Sequence, residues 1–378
     1  MRTLDDLDPN GKRVLVRVDF NVPLDERQRI TDDVRIRAAL PTLEELRSRG
    51  ASQLILAAHL GRPKDHEPEL SLKPAAERLS ELLGVDVALA ASLDQLPDVD
   101  VVMLENVRYE SAEAKNDPEL AERYAALADL YVNDAFGAAH RAHASTEAVA
   151  HLLPSAAGRL MEREVRTLKG ILEDPKRPLV AVMGGAKVTD KIGVLEAFLD
   201  KADTILIGGA MQFPFFTAQG HQVGASLCEQ EGIAPAERVL AAGGDKVMLP
   251  VDIVCGESFS ADTPVSEVDG VDVPDGLMGL DVGPRTAQAY GEVIAGAGTV
   301  FWNGPMGAFE LEPFSAGTRS VAEAVARSSA TTVVGGGDSA AALKEFGLED
   351  QVTHLSTGGG ASLELIEGKT LPGVEVLS

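Results

Sequence analysis

Short apolar runs alternate with amphipathic helical segments from Val14 onwards, and the residues that end each run divide the sequence into two halves. Before Ala144, the runs VLVRVDFN, LILAAHLGRP, VVMLENVR and LYVNDAFGAAHRAH end in charged or polar side chains. After Leu179, the runs LVAVMGGAKVTDK, TILIGGAM, TVFWNGPMG, TTVVGGGDS and THLSTGGG end in glycine. Alternating strands and helices predict α/β architecture. Since ligands bind at the carboxyl ends of parallel strands, each half should present a row of ligand groups.

The length of the chain predicts more than one domain. Its 378 residues exceed what one core usually supports, at roughly 150 residues per domain. A segment rich in proline and small residues, 153–158, breaks the alternation near the middle of the sequence. The apolar spacing that follows predicts a helix over 159–172, which would connect two domains.

Charge and cysteine content argue against several classes of function. The formal net charge of -25 makes nucleic acid an improbable partner, because phosphate backbones require a basic surface. Cys228 and Cys255 form no disulfide framework and lack the spacing of metal ligands. Without an N-terminal apolar segment or a run of roughly 18 apolar residues, the chain is expected to be cytoplasmic.

The glycine-ended half is typical of a nucleotide or polyphosphate site. Glycine lets the backbone approach a ligand, and amides at a helix N-terminus favour negative charge. In GGAKVTDKI, Lys187 and Lys191 are four residues apart at the start of an expected helix, so both should project from one face towards phosphate. A solvated lysine face is the alternative. Neither a P-loop motif nor G-x-G-x-x-G occurs, so the phosphate site must be built differently.

Carboxylates in the same half have two interpretations each. Asp338 in GGGDS is suited to holding Mg²⁺ beside phosphates or to capping a helix, and Ser339 is suited to capping a helix over 340–345. Glu310, eight residues after Asn303, either accepts ribose hydroxyls or is an ordinary surface residue.

The polar-ended half predicts a site for a small, multiply anionic ligand. Guanidinium groups match phosphate and carboxylate oxygens bidentately, although surface ion pairing is the alternative for any one arginine. Asp19 and Asn21, at the end of the first run, could bind a substrate hydroxyl or form a turn. A metal site among the histidines is disfavoured, because the arginines would repel a cation. The cationic candidates are Arg17, Arg35, His59, Arg62, Arg108, His140, Arg141 and His143.

Eight motifs, from VRVDFNVP and HLGRP in the first half to GGAKVTDKI and GGGDS in the second, together give the chain a close resemblance to the phosphoglycerate kinase family along nearly its whole length. The resemblance implies an α/β fold of two Rossmann-like, three-layer αβα domains, whose mainly parallel sheets face each other across a hinged cleft. It implies reversible transfer of the acyl phosphate of 1,3-bisphosphoglycerate to Mg-ADP, giving 3-phosphoglycerate and ATP. The motifs are VRVDFNVP, HLGRP, LENVRY, NDAFGAAHRAHAS, GGAKVTDKI, WNGPMGAFE, GGGDS and STGGGASLELIEGK.

The resemblance also implies how the domains and residues divide the reaction. Residues 1–157, with a C-terminal tail over 363–378, would bind the triose, and residues 158–362 would bind the nucleotide. Arg35, Lys187 and Lys191 would be catalytic, and Asp338 would hold the metal. Expected substrate contacts are Asp19, Asn21, Arg35, His59, Leu60, Gly61, Arg62, Arg108 and Arg141. Expected nucleotide contacts are Gly185, Lys191, Gly209, Gly279, Asn303, Glu310, Gly336, Gly337, Asp338 and Ser339.

One departure from the family pattern affects the expected purine pocket. After LIGGAM the family usually carries a small residue and a threonine, where this chain has Gln212 and Pro214. A non-catalytic protein that binds nucleotide or triose phosphate is the alternative function. Loss of Arg35, Lys187, Lys191 or Asp338 would mark it, and all four are present. By resemblance, the protein is expected to be a monomer.

Overall fold

The computed structural model describes residues 1–90 and 92–378, which form two compact units. The first unit comprises Met1–Arg166 and Thr370–Ser378, and the second comprises Thr167–Lys369. The division therefore falls inside the predicted connecting helix. The sequence-based limits, at 157/158 and 362/363, lie nine and seven residues earlier, respectively.

A parallel sheet is the centre of the first unit. Its order is β3-β4-β2-β1-β5-β6, and all its neighbouring strands are parallel. The four polar-ended runs form the adjacent strands β4, β2, β1 and β5, so their ends share one sheet edge. Over the described residues, the strands are β1 (Arg13–Arg17), β2 (Gln53–Ala57), β3 (Val87–Ala90), β4 (Val101–Leu104), β5 (Leu130–Asn133) and β6 (Ser155–Ala157).

Helices cover both faces of this sheet. Successive side chains of a strand point to opposite faces, and Val14, Leu15 and Val16 of β1 are all fully buried. The strand is therefore covered on both sides, as its continuous apolar run predicts. In α1, Ile36, Leu43 and Leu46 form the buried stripe. The longer helices are α1 (Val34–Ser48), α2 (Lys73–Leu83), α3 (Pro118–Ala125) and α4 (Arg159–Glu173).

The second unit contains a parallel sheet of order β15-β14-β13-β7-β8-β9. All five glycine-ended runs contribute to it, which places their glycines along one edge. Over the described residues, the strands of the unit are β7 (Leu179–Met183), β8 (Thr204–Ile207), β9 (Val247–Met248), β10 (Ile253–Gly256), β11 (Ser266–Val268), β12 (Met278–Val282), β13 (Thr299–Asn303), β14 (Thr331–Gly335) and β15 (His354–Leu355).

A small antiparallel sheet of order β11-β10-β12 accompanies the parallel one. The sequence predicted a single strand over MLPVDIVCG, and this prediction is wrong: β9 belongs to the parallel sheet and β10 to the antiparallel one. Pro250 lies between them, and proline cannot donate a ladder hydrogen bond. The stretch after β10, predicted to be irregular, contains β11.

The helices of the second unit complete its layers. They are α5 (Ile192–Lys201), α6 (Gln212–Ala218), α7 (Ile233–Gly243), α8 (Pro284–Ala295), α9 (Ala316–Arg327), α10 (Gly337–Phe346) and α11 (Gly360–Ile366). None of the helices in residues 1–90 and 92–378 has the length and apolar character needed to cross a membrane.

The C-terminal residues pack on the first unit. The N–H of Gly373 donates to the carbonyl of Ala139 at 2.9 Å, and Asn133 Nδ2 donates to the carbonyl of Gly373 at 3.3 Å. Gly373 belongs to a last short helix, α12 (Pro372–Glu375). These contacts tie the end of the chain to β5.

Candidate active site

The first strand and the first helix position a carboxylate against an arginine. Asp19 lies two residues beyond β1, and Arg35 lies in the first turn of α1. Arg35 Nη1 donates to Asp19 Oδ2 at 2.5 Å, and Asp19 Oδ1 accepts the N–H of Asn21 at 3.3 Å. Asp19 is buried and Arg35 is half-buried. The carboxylate therefore fixes a guanidinium that remains accessible to a ligand.

The HLGRP loop after β2 is tied to its neighbours on both sides. Asn21 Oδ1 accepts the N–H of Gly61 at 2.9 Å, and Arg108 Nη1 donates to the carbonyl of Gly61 at 2.7 Å. Asn106 Nδ2 donates to the carbonyl of Leu60 at 2.7 Å, and Asn106 Oδ1 accepts the N–H of Arg108 at 3.1 Å. Asn106 is absent from the predicted site, although it stands in the LENVRY motif. Its role is to join the loops after β2 and β4.

The cationic groups of the first unit act on one another electrostatically. Burial and the charge of Arg17 hold the pKa of His59 well below its usual range. Burial lowers the pKa of Arg108 to about 10 and that of His143 to about 4, and neighbouring arginines add to both effects. Both histidines are therefore neutral at pH 7. We call the following set the arginine cluster: Arg17, Arg35, Arg62, Arg108, Arg141, His59 and His143.

Exposure varies across the arginine cluster. Arg62 and Arg141 are exposed, whereas Arg17 is fully buried. Arg141 Nε lies 3.1 Å from Nε2 of His140. The exposed guanidinium groups can contact a ligand directly. The buried guanidinium of Arg17 adds positive electrostatic potential to the site.

A buried relay, consisting of Arg17, Ser145 and Glu113, supports the cluster. Arg17 Nε donates to Ser145 Oγ at 2.8 Å, and Ser145 Oγ donates to Glu113 Oε1 at 2.5 Å. Arg17 Nη2 lies 3.1 Å from His59 Nδ1, so the relay reaches the predicted site. Burial raises the pKa of Glu113, and the charge of Arg17 opposes this rise. Ser145 and Glu113 are missing from the predicted site, because 128 residues separate Arg17 from Ser145.

A cavity of about 870 Å³ opens in the second unit. Five of the predicted nucleotide contacts line it: Gly185, Gly209, Gly279, Glu310 and Asp338. Much of the remaining wall is apolar, and Leu227 and Phe259 in it are among the most exposed large hydrophobic residues of the described chain. An apolar slot with a few polar groups is the usual form of a small-molecule site.

Two glycines allow the strand ends around the cavity to approach each other. Gly209 has a φ of 67°, and a Cβ on it would lie 2.5 Å from the backbone N of Gly185 and 2.8 Å from the carbonyl O of Pro305. Gly336 has a φ of 94°, and a Cβ on it would lie 2.7 Å from Asn303 Nδ2. Both positions therefore require glycine.

Lys191 lies beside the cavity. Its Nζ donates to Asn303 Oδ1, and a Cβ on Gly185 would lie 3.3 Å from Lys191 Cε. Burial lowers the pKa of Lys191 to about 8, and the charge of Asp338 opposes this effect. The ammonium group thus lies between the ends of β7 and β13, close enough to Asp338 for the two charges to interact.

The prediction that both lysines occupy the start of a helix is wrong, because α5 begins at Ile192. The preceding loop is held elsewhere: the N–H of Thr189 donates to Glu229 Oε2 at 3.1 Å. Lys187 is exposed and is not among the residues that line the cavity.

The helix after β14, in contrast, starts earlier than predicted. Because α10 begins at Gly337, Ser339 lies in its first turn and does not cap it. Ser339 Oγ accepts the N–H of Gly304 at 2.6 Å instead, which joins the ends of β13 and β14. Asp338 is exposed and faces the cavity, so its carboxylate remains available.

The donor set around Asp338 fits a magnesium ion that is held mainly by phosphates. Mg²⁺ commonly binds through one or two carboxylates together with substrate phosphates and water. Within residues 1–90 and 92–378, no group of three or more His, Cys, Asp or Glu side chains is arranged to hold a metal. One cavity-facing carboxylate beside a lysine is consistent with a metal that arrives with its nucleotide.

The two departures from the family pattern differ in position. Gln212, the first residue of α6, lines the cavity. Pro214 is buried and does not line it; a Cβ on Gly232 would lie 3.3 Å from its Cγ. The departure that faces the expected purine pocket is therefore Gln212.

Comparison with known proteins identifies the family. The family model for phosphoglycerate kinase matches residues 4–369. The chain belongs to the phosphoglycerate kinase family. A phosphoglycerate kinase of Herpetosiphon aurantiacus is 53% identical, with 100% of this chain and 99% of that protein covered. The cytosolic phosphoglycerate kinase of Nicotiana tabacum is 50% identical, with 99% and 97% covered.

Solved structures of the family have the same fold. The phosphoglycerate kinase of Coxiella burnetii superimposes with a TM-score of 0.92 at 42% identity, covering 99% of this chain and 98% of that one. The phosphoglycerate kinase of Pyrococcus horikoshii gives 0.87 at 32% identity, covering 100% and 98%. The predicted fold of two α/β domains is thereby confirmed, as is phosphoglycerate kinase activity, and the non-catalytic alternative is not supported.

Proposed function

We propose that the arginine cluster binds 3-phosphoglycerate and 1,3-bisphosphoglycerate, and that the cavity of the second unit binds ADP and ATP. The observation that carries this proposal is the cluster itself, in which four guanidinium groups act electrostatically on two neutral histidines and a fifth, that of Arg62, acts on Arg108. Crowded positive charges repel one another, so a small polyanion is stabilised when it offsets them. Guanidinium forks match the phosphate and carboxylate oxygens of a triose phosphate.

Within the cluster, each group has a distinct proposed contact. Asp19 and Asn21 bind the hydroxyl and carboxylate of the triose. Arg62, Arg108 and Arg141, with His59 and the backbone of Leu60 and Gly61, hold its other anionic groups. Arg35 also holds one of these anionic groups, and it contacts the phosphoryl group that is transferred. Its ion pair with Asp19 orients the guanidinium before the ligand arrives.

The proposed nucleotide contacts divide among the adenosine, the ribose and the phosphates. Gly185, Gly209 and Gly279 allow the backbone to approach adenosine, and Glu310 accepts the ribose hydroxyls. Lys187 and Lys191 neutralise the terminal phosphate, and Asn303 holds the Lys191 ammonium group. Gly336 and the first residues of α10, Gly337–Ser339, contact the phosphates, since helix N-termini favour negative charge.

The reaction requires positioning and cations more than proton transfer. The attacking oxygen is already ionised, so no general base is needed, and the transition state spreads negative charge over the phosphoryl oxygens. Arg35, Lys187 and Lys191 stabilise that charge. Mg²⁺, when bound with the nucleotide beside Asp338, would neutralise further phosphate charge.

We also propose that the protein works in the cytosol, as the named cytosolic relatives of Nicotiana tabacum and Triticum aestivum do. Its net charge of -25 disfavours binding to nucleic acid, and neither a nucleic-acid nor a membrane partner is proposed. A monomer suffices, because both proposed sites are built from residues of one chain.

The test is a coupled assay with 3-phosphoglycerate, ATP and Mg²⁺, in which a reductase consumes the acyl phosphate. Turnover by the wild type is expected, and Arg35→Ala should reduce kcat by orders of magnitude. Arg37→Ala is the matched control: Arg37 lies on the same helix, is exposed, and pairs with Asp33 at 2.9 Å. Absence of turnover in folded wild type, or equal loss in both variants, would refute the proposal.

A further inference from the structure

An unpartnered amide lies in the wall of the nucleotide cavity. Gln212 is 1% exposed, and its Oε1 is buried without a hydrogen-bond partner among the described residues. A buried acceptor left without a donor destabilises the free protein. Because Gln212 also lines the cavity, a bound ligand whose donor reaches Oε1 once the amide turns towards it would satisfy this acceptor.

The position of Gln212 along the sheet edge identifies the part of the nucleotide that it meets. Asp338 follows β14, whereas Gln212 follows β8, and β13 and β7 lie between those strands. At about 4.8 Å per strand, the two ends are roughly 14 Å apart. That distance accommodates diphosphate and ribose, so if Asp338 marks the phosphate end, Gln212 lies at the base end.

The surroundings of Gln212 are those of a base pocket. Met278, Leu280, Leu227 and Phe259 line the same cavity and provide apolar surface for a flat ring. Charged side chains in the lining, Glu310 and Asp338, belong to the proposed ribose and phosphate contacts. Among the lining residues, Gln212 carries the amide, a group that can both donate to and accept from the edge of a base.

We propose that Gln212 reads the 6-amino group of adenine and makes this kinase discriminate adenine from 6-oxopurine nucleotides. A glutamine amide pairs bidentately with adenine, accepting from N6–H and donating to N7. On this N6/N7 edge, hypoxanthine and guanine carry an oxygen acceptor at position 6, so Oε1 has no donor there. If the amide turns to donate to that oxygen, Oε1 then faces N7, another acceptor. The inference rests on the proposed nucleotide role of the cavity.

The test compares ATP with ITP, which differs in the group at position 6. The wild type should show a kcat/KM for ATP about tenfold or more above that for ITP, the size expected for one bidentate base contact. Gln212→Met keeps the length of the side chain without the amide, and Gln212→Ala restores a small residue. Both should reduce the preference to within about threefold. Gln219→Met, at the other end of α6 and outside the cavity, should retain it.

Binding of ADP and IDP, measured by calorimetry without triose, separates this inference from the proposed function. Absence of turnover with both nucleotides would refute the proposed function, while the ADP to IDP affinity ratio still decides the role of Gln212. Equal use of ATP and ITP by the wild type would overturn the inference. So would an unchanged preference in both Gln212 variants.

Discussion

The depressed pKa of Lys191 predicts a specific pH dependence of nucleotide binding. Burial lowers this pKa from 10.5 to about 8, which corresponds to roughly 3 kcal/mol at 1.36 kcal/mol per pKa unit. Phosphate oxygens bind the ammonium form, so affinity falls once the free protein loses this proton. With a pKa of about 8, the apparent Kd for ADP should rise about tenfold between pH 7 and pH 9.

The assay is calorimetric titration of ADP, without divalent cation, at half-unit steps from pH 7 to pH 9.5. This range lies above the phosphate ionisation near pH 6, so ADP keeps its charge throughout. Lys191→Arg should remove the pH dependence, because a guanidinium stays charged. Lys191→Met should bind weakly at every pH. A flat wild-type profile, or the same midpoint in Lys191→Arg, would refute the reasoning.

Stability should change in the opposite direction from affinity. Folded Lys191 loses its proton near pH 8, whereas the unfolded side chain keeps it to about pH 10.5, so the unfolded state binds more protons in between. The free energy of unfolding therefore rises with pH across this window, by up to about 3 kcal/mol. Comparison with Lys191→Met isolates this contribution from other titrating groups.

Two further predictions concern the supports of the sites. Ser145→Ala interrupts the buried relay and should lower the free energy of unfolding by about 2–4 kcal/mol in urea titrations, because it leaves buried charged groups unpaired. Ser48→Ala, at the exposed end of α1, should cost less than about 1 kcal/mol, and equal losses would contradict this role. Gly209→Ala should abolish ADP binding or prevent folding, since its Cβ would collide with backbone atoms. Gly220→Ala, which also has a positive φ but nothing within 4 Å, should bind ADP normally.

The sequence predicted the features that depend on local pattern. Apolar runs with abrupt polar or glycine ends specify buried parallel strands. Two of these strands, β1 and β13, lie at the centres of the two parallel sheets. The carboxyl ends of neighbouring parallel strands lie along one edge of a sheet. The grouping of the arginines in the first unit, and of the glycines in the second, was therefore predictable from the sequence.

Features that depend on distant contacts were not predictable. Thr189 bonds to Glu229, 40 residues further along the chain, in the loop that precedes α5, and α5 itself begins only at Ile192. Ser339 was predicted as a cap from its local position, but its hydroxyl accepts a bond from Gly304 on the neighbouring strand end. Likewise, nothing in the residues around Glu113 indicates that a buried arginine will lie close to it.

The central claim is that the two units bind different substrates, and paired binding measurements test it most directly. Calorimetry with 3-phosphoglycerate and with ADP is applied to Arg35→Ala and to Lys191→Met. Arg35→Ala should lose affinity for 3-phosphoglycerate and keep its affinity for ADP, whereas Lys191→Met should lose affinity for ADP and keep its affinity for 3-phosphoglycerate. Loss of both affinities in either folded variant would contradict the division.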